Sequence, residues 1–119
     1  MAPTKVSQVV AWLMECPAVG EHQHRMAALM TLLQPVFEQY RLQFTVSMYV
    51  CVNIIADDGF HGIRTKPEER SLALQPCREN YELMVRGAAG AIGRAVASER
   101  EMGALLESAL NWLTKSGER

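Results

Sequence analysis

The chain has no apolar run long enough to cross a membrane, no concentration of charge of one sign and no paired cysteine motif. Its longest apolar stretch, residues 42–56, is interrupted by Gln43, Thr45, Ser47 and Asn53. It falls short of the roughly 20 residues a helical span requires. The chain opens without a basic segment leading into an apolar core, so no secretory signal is read there. Lys and Arg number 12 against 13 Asp and Glu, for a net charge of -1. The cations are scattered among the acids rather than gathered into a stripe, which argues against nucleic acid as a partner. The three cysteines, Cys16, Cys51 and Cys77, are odd in number and lack CxxC spacing. Each lies in or beside an apolar stretch. They read as reduced thiols of a cytoplasmic protein.

What is present suits one globular domain over residues 1–119. The chain is 49% hydrophobic and 21% charged, an ordinary balance for a folded protein, and its length supports a core without staples. Val6, Val9, Val10 and Leu13 recur at helical steps after Thr4, a possible cap, and Cys16-Pro17 ends that helix. From Glu21 onward Met26, Leu29, Leu33, Val36, Tyr40, Phe44, Met48, Cys51 and Ile55 follow at three- and four-residue steps. This predicts one long helical segment over residues 21–56, with a kink or break near Gln34 because Pro35 follows, and a stop at Asp57-Asp58-Gly59.

Residues 42–54 also carry a competing pattern. Leu42, Phe44, Val46, Met48, Val50, Val52 and Ile54 alternate with Gln43, Thr45, Ser47, Tyr49, Cys51 and Asn53, and β-branched residues are frequent, as in a half-buried strand. No second strand of similar length is evident in the sequence, and a lone strand leaves its backbone unpaired. The helix is therefore preferred. Residues 60–66 read as a loop, and Thr65-Lys66-Pro67-Glu68 has capping-box spacing for a short helix reaching Leu74. A further helix would carry Tyr81, Val85, Ala88, Ile92 and Val96 on one face. Ser98-Glu99-Arg100-Glu101 again has capping-box spacing, so the chain either turns there or continues straight into the last stripe, Met102, Leu105, Leu106, Ala109, Leu110 and Leu113. The expected fold is all-α, with four to five helices.

The segment Gly87-Ala88-Ala89-Gly90-Ala91-Ile92-Gly93 resembles the glycine-rich cofactor loop of short-chain dehydrogenases, with Ala91 in place of the middle glycine. That resemblance implies a dinucleotide at a helix N-terminus. The surroundings speak against it. Charge flanks the apolar residues of the preceding segment, too little chain follows for a doubly wound sheet, and no Tyr-x-x-x-Lys pair is present. No cofactor is expected, and the small residues are read as a close helix–helix contact. His22 and His24 stand two apart, so on a helix they cannot share an ion. His61 with Asp57 or Asp58 and a cysteine would form a nucleophilic set only if the fold gathered them. No metal site and no catalytic residue is expected, and Cys51 reads as a core thiol.

The remaining candidate is a surface for another protein. Met26, Leu29, Met30, Leu32, Leu33, Val36 and Tyr40 form a wide apolar stripe in a chain with seven methionines, whose side chains adapt to irregular partners. So long a face exceeds what one small core covers, which predicts a homodimer or a larger protein partner. In length, in the short first helix over residues 5–15, in the long helix after Gly20 and in lacking a ligand motif, the chain resembles the small quorum-sensing antiactivators of pseudomonads, the QslA type. The resemblance implies binding to the ligand-binding domain of a LuxR-type transcription activator and blocking of its dimerisation. The alternative is a secretion or phage-assembly chaperone that holds an amphipathic segment of its client.

Overall fold

In the computed structural model the alternation at residues 42–56 prevails over the helical spacing. The structure describes residues 4–15, 21–47, 50–57 and 70–115. Within them the chain forms α1 (Val6–Glu15), α2 (Glu21–Leu32), α3 (Gln34–Phe37), β1 (Leu42–Val46), β2 (Val52–Ala56), β3 (Ser71–Cys77), β4 (Asn80–Gly87), β5 (Gly90–Ala97) and α4 (Glu99–Thr114). The fold is α+β, and the all-α expectation is overturned by a five-stranded antiparallel sheet in the order β1-β2-β3-β4-β5.

The long helix over residues 21–56 does not form. Helix α2 stops at Leu32, and α3 restarts at Gln34 with Pro35 in its first turn, where the missing N–H costs nothing. Beyond Tyr40 the alternating residues pair across a reversal: Leu42 opposes Ala56, Phe44 opposes Ile54 and Val46 opposes Val52. The single strand weighed against the helix is thus two strands that satisfy each other's backbone. The reversal brings Val50 to φ 53°, a left-handed conformation that disfavours a β-branched residue by about 1–2 kcal/mol.

The helix expected to reach Leu74 gives way to β3 over residues 71–77, and the stripe Tyr81, Val85, Ala88, Ile92 and Val96 is divided between β4, a tight turn and β5. The small residues of 87–97 therefore serve a hairpin rather than a helix contact. Gly90, at φ 118°, completes its turn. The expected capping boxes fare differently. That at residues 65–68 lies outside the described residues. At Ser98 it is complete: Glu101 N–H donates to Ser98 Oγ at 3.3 Å, and Ser98 N–H donates to Glu101 Oε1 at 3.2 Å.

Helices α1, α2 and α4 cover one face of the sheet. Residues two apart along a strand share a face, and that side carries Phe44, Val52, Ile54, Leu72, Leu74 and Leu83, all buried. They meet Val9 and Leu13 of α1, Met26, Leu29 and Met30 of α2, and Met102, Leu106 and Leu110 of α4 in one core. Phe37 meets Phe44 edge to face, with ring centroids 5.4 Å apart. Side-chain bonds tie the helices down. Gln23 Nε2 donates to the Leu13 and Met14 carbonyls at the end of α1, and Tyr40 Oη donates to Asn111 Oδ1 of α4 at 2.9 Å.

Candidate protein-binding edge

Strand β5 is the last of the sheet, and its composition leaves room beside it. Gly93, Ala95 and Ala97 turn toward the helical face because they oppose Val85, Leu83 and Tyr81 of β4. A Cβ placed at Gly93 would meet nothing within 4 Å. Helix α4 crosses above, and between strand and helix runs a groove of about 360 Å³ lined by Leu83, Val85, Ile92, Leu105, Ala109 and Trp112 among others. Of the groove residues Ile92 is 65% exposed and Leu105 37%, while Val96, 47% exposed, opposes Glu82 and so lies on the other face of the sheet. Large apolar side chains left open together are the usual composition of a binding surface.

The groove rests on fixed supports. Ile92 is the extra residue of a β-bulge, since Val85 opposes Gly93 while Arg86 opposes Ala91. Bulges re-aim side chains at sheet edges. Trp112 at the far wall lies under the Arg70 guanidinium, 5.2 Å from the ring centroid. Arg70 Nη1 also donates to the Trp112 carbonyl at 2.8 Å and the Lys115 carbonyl at 3.2 Å. One cation thus holds the ring and closes the end of α4. On the other face of the sheet Arg94 pairs with Glu82 at 3.0 Å, and Gln75 Nε2 donates to the same carboxylate at 2.6 Å. The buried Glu82 is satisfied from both neighbouring strands.

The residues expected to bind a partner lie elsewhere. Met26, Leu29, Met30 and Leu33 are inside the core. Val36 and Tyr40 are half-buried, and Leu32 is 54% exposed. The buried part of the stripe is wide because α2 meets α1 on one flank and the sheet on another. Tyr40 lines a second groove of about 330 Å³ with Lys5, Ser7, Gln34, Glu38 and Phe44, a more polar wall than that beside β5. The residues of this candidate groove that the sequence did not single out for binding are Ile92, Leu105 and Trp112. Reading residues 81–96 as a helix hid the edge, and Leu105 looked like one more core position of α4.

The chemistry at hand is sparse. Among the described residues no group of three or more His, Cys, Asp and Glu could hold a metal ion. His22 and His24 are exposed in the first turn of α2. Burial pushes the Cys51 thiol above its ordinary value, although Arg86 and a hydrogen bond from Ser47 act the other way, so it is a weak nucleophile at neutral pH. Asp57 Oδ1 accepts from Gln43 Nε2 at 2.9 Å. Cys16, Asp58 and His61 lie outside the described residues. No described helix is long and apolar enough to cross a membrane.

The chain matches no protein-family model, no curated protein and no solved structure. Of the features behind the antiactivator resemblance, the short first helix is present as α1, and the chain after Gly20 is helical only through α2 and α3.

Proposed function

We propose that this chain is a non-enzymatic protein-binding module that takes an extended, apolar-faced segment against β5 and α4 and so covers part of a larger partner. The observation that carries this reading is the juxtaposition of a strand edge, unpaired among the described residues, with an apolar groove. Main-chain bonds to such an edge supply affinity, and alternate side chains of the added strand reach the groove. Neither metal nor cofactor is invoked. The proposed compartment is the cytoplasm, supported by Cys51 and Cys77, which are both free.

The regulatory form of the proposal is that the covered surface belongs to a transcription activator, a LuxR-type ligand-binding domain being the named candidate. The groove equally favours a second form, a chaperone that shields an amphipathic client segment. The test is capture from the native cell with identification of the bound protein, repeated with Leu105→Glu and Val96→Pro. Capture of one specific protein that both variants lose is the expected result. A transcription-factor domain supports the regulatory form, and an exported or virion protein supports the chaperone. Capture unchanged in both variants removes this edge from the reading.

A further inference from the structure

We infer that the β5 edge binds a second copy of this chain, strand to antiparallel strand, about a two-fold axis at Ala95. The inference rests on the reading of this edge as the protein-binding surface and names its occupant in the absence of a larger partner.

The argument begins with the direction of the backbone groups. The two-residue turn Arg78–Glu79 makes Cys77 and Asn80 the closing pair of the β3–β4 hairpin, and such a pair is hydrogen-bonded. Even-numbered residues of β4 therefore bond β3, and odd-numbered ones bond β5. Since Val85, Leu83 and Tyr81 oppose Gly93, Ala95 and Ala97, those three residues of β5 face inward. Arg94 and Val96 turn their N–H and C=O groups outward.

An added antiparallel strand must bond those outward groups, which limits the self-pairings. Centring the axis on Arg94 sets Arg94 directly against its own copy, and like charges in that position repel. Centring it on Val96 sets Arg94 against Ser98, which lies beyond the strand and caps α4. Centring it on Ala95 sets Arg94 against Val96 twice. All outward groups of the straight stretch 93–97 are then bonded, and no like charges are opposed.

This register also suits the side chains. The axis falls at a non-hydrogen-bonded pair, where the strands approach most closely, with Cα atoms about 4.5 Å apart. Ala95 is small enough for that. Arg94 keeps its own Glu82 and needs no partner from the other copy. The two-fold places both α4 helices on the same face of one continuous sheet, so Ile92 and Leu105 of each copy border the seam. Within 93–97 β5 has neither proline nor lysine, two common protections of an edge against such pairing. The bulge at Ile92 lies outside that stretch, and the charge of Arg94 is matched by Glu82. The edge is about 26 Å long. Two layers deep, it suits an interface at the low end of the stable range, about 600 Å² per partner. A larger partner's segment would claim the same outward groups and so open the dimer.

The test is light scattering of the full chain at about 50 μM, above ordinary dimer affinities, with three variants. The wild type is expected at twice the 13.3 kDa chain mass. Val96→Pro removes an outward N–H without touching the ladder to β4, and Val96→Lys opposes Arg94 of the other copy. Both are expected to keep the wild-type circular dichroism and to dissociate at least tenfold more readily. Ala95→Cys is expected to give a disulfide between the two introduced thiols under mild oxidation, identified by peptide mapping, and Gly93→Cys is not. A monomeric wild type, or a dimer that survives Val96→Lys, overturns the inference. Cross-linking by Gly93→Cys in place of Ala95→Cys overturns the register. If Val96→Pro fails to fold, Val96→Lys decides alone, since it adds only an exposed side chain beside Glu82. A monomeric wild type that captures a larger partner, and loses it in Val96→Lys, overturns the second copy and leaves the protein-binding reading intact. A β5-linked dimer whose capture of other proteins is unaffected by either substitution does the reverse.

Discussion

At one end of the sheet β1 presents five residues, with Leu42, Gln43 and Phe44 buried and α1 alongside; at the other, β5 presents eight, and Gly90 through Arg94 are all exposed. The groove beside β1 is rimmed by Lys5, Gln34 and Glu38, whereas that beside β5 is walled mostly by Leu, Val, Ile, Ala and Trp, with Arg94, paired to Glu82, as its one charged residue among those described. Charge at an edge discourages an incoming strand, and an apolar wall with small strand residues invites one. The two grooves are of similar size, and the difference lies in their walls and in side-chain volume along the strand. Phe44 is buried between β1 and its helices, while Gly93 and Ala95 add little to the layer under α4. The same two-layer architecture thus yields one polar-rimmed margin and one mostly apolar margin.

The sharpest way to break this comparison is to truncate one side chain on each margin. Phe44→Ala should cost about 3–5 kcal/mol of unfolding free energy in urea, against a change within about 0.5 kcal/mol for Ile92→Ala. A comparable loss at Ile92 would mean that the β5 margin is packed as closely as that of β1. A finer version uses neighbours on α4. Leu106→Ala should cost about 2–5 kcal/mol because Leu106 is fully buried, and Leu105→Ala well under half of that, measured the same way.

The junction of β5 and α4 sets the helix over the open margin, and its cap can be weakened. Ser98→Ala removes the acceptor for Glu101 N–H and should lower stability by about 1 kcal/mol. Ser98→Asp should restore most of it. The smallest effect lies between the margins. Arg78 sits at φ 57° in the β3–β4 turn and is exposed, so Arg78→Gly should raise the thermal midpoint slightly, by about 0.5–1 kcal/mol in stability. Because the turn touches neither margin, oligomer mass and partner capture should stay as in the wild type. A change in either would tie the turn to the edge.

The terminal helices were legible in the sequence because their stripes are short, strictly periodic and bounded. Val6, Val9 and Leu13 are buried as the spacing implies, and of the two readings open at Ser98, a turn or a straight continuation, the completed capping box with Glu101 decides for the turn and starts α4. The break before Pro35 was legible for the same reason. The sheet was not. In residues 42–56 apolar positions satisfy both a period of two and steps of three and four. The choice turned on whether a pairing strand existed, and β3, with Pro76 and Gln75 in it, does not announce itself as a strand. Residues 80–97 misled through composition. Gly, Ala and charged residues suggest a helix or a cofactor turn, and only pairing across Ala88–Ala89 shows that they make a hairpin. The β5 edge was invisible for a related reason: an edge is a relation between strands, and Ile92 carries no mark of standing at one until the strand order is known. On the apolar stripe of α2, Met26, Leu29 and Met30 are spent on the protein's own core, while Leu32 stays exposed.

The strictly sequential strand order has a consequence for how the molecule acquires its shape. Every strand pairs only with its neighbours along the chain, and the β3–β4 and β4–β5 connections are two-residue turns, so most of the sheet assembles by short loop closures that cost little chain entropy. The long closure is the return of α2 onto the sheet, where Arg25 Nη2 donates to the Asn80 carbonyl at 3.0 Å across 55 residues and its guanidinium lies over the Tyr81 ring at 5.0 Å. Folding is therefore expected to begin at the β3–β4–β5 hairpins and to end with the docking of the N-terminal helices. Substitutions in the meander should slow the folding arm of a chevron, and those at Met26 or Leu29 should speed the unfolding arm.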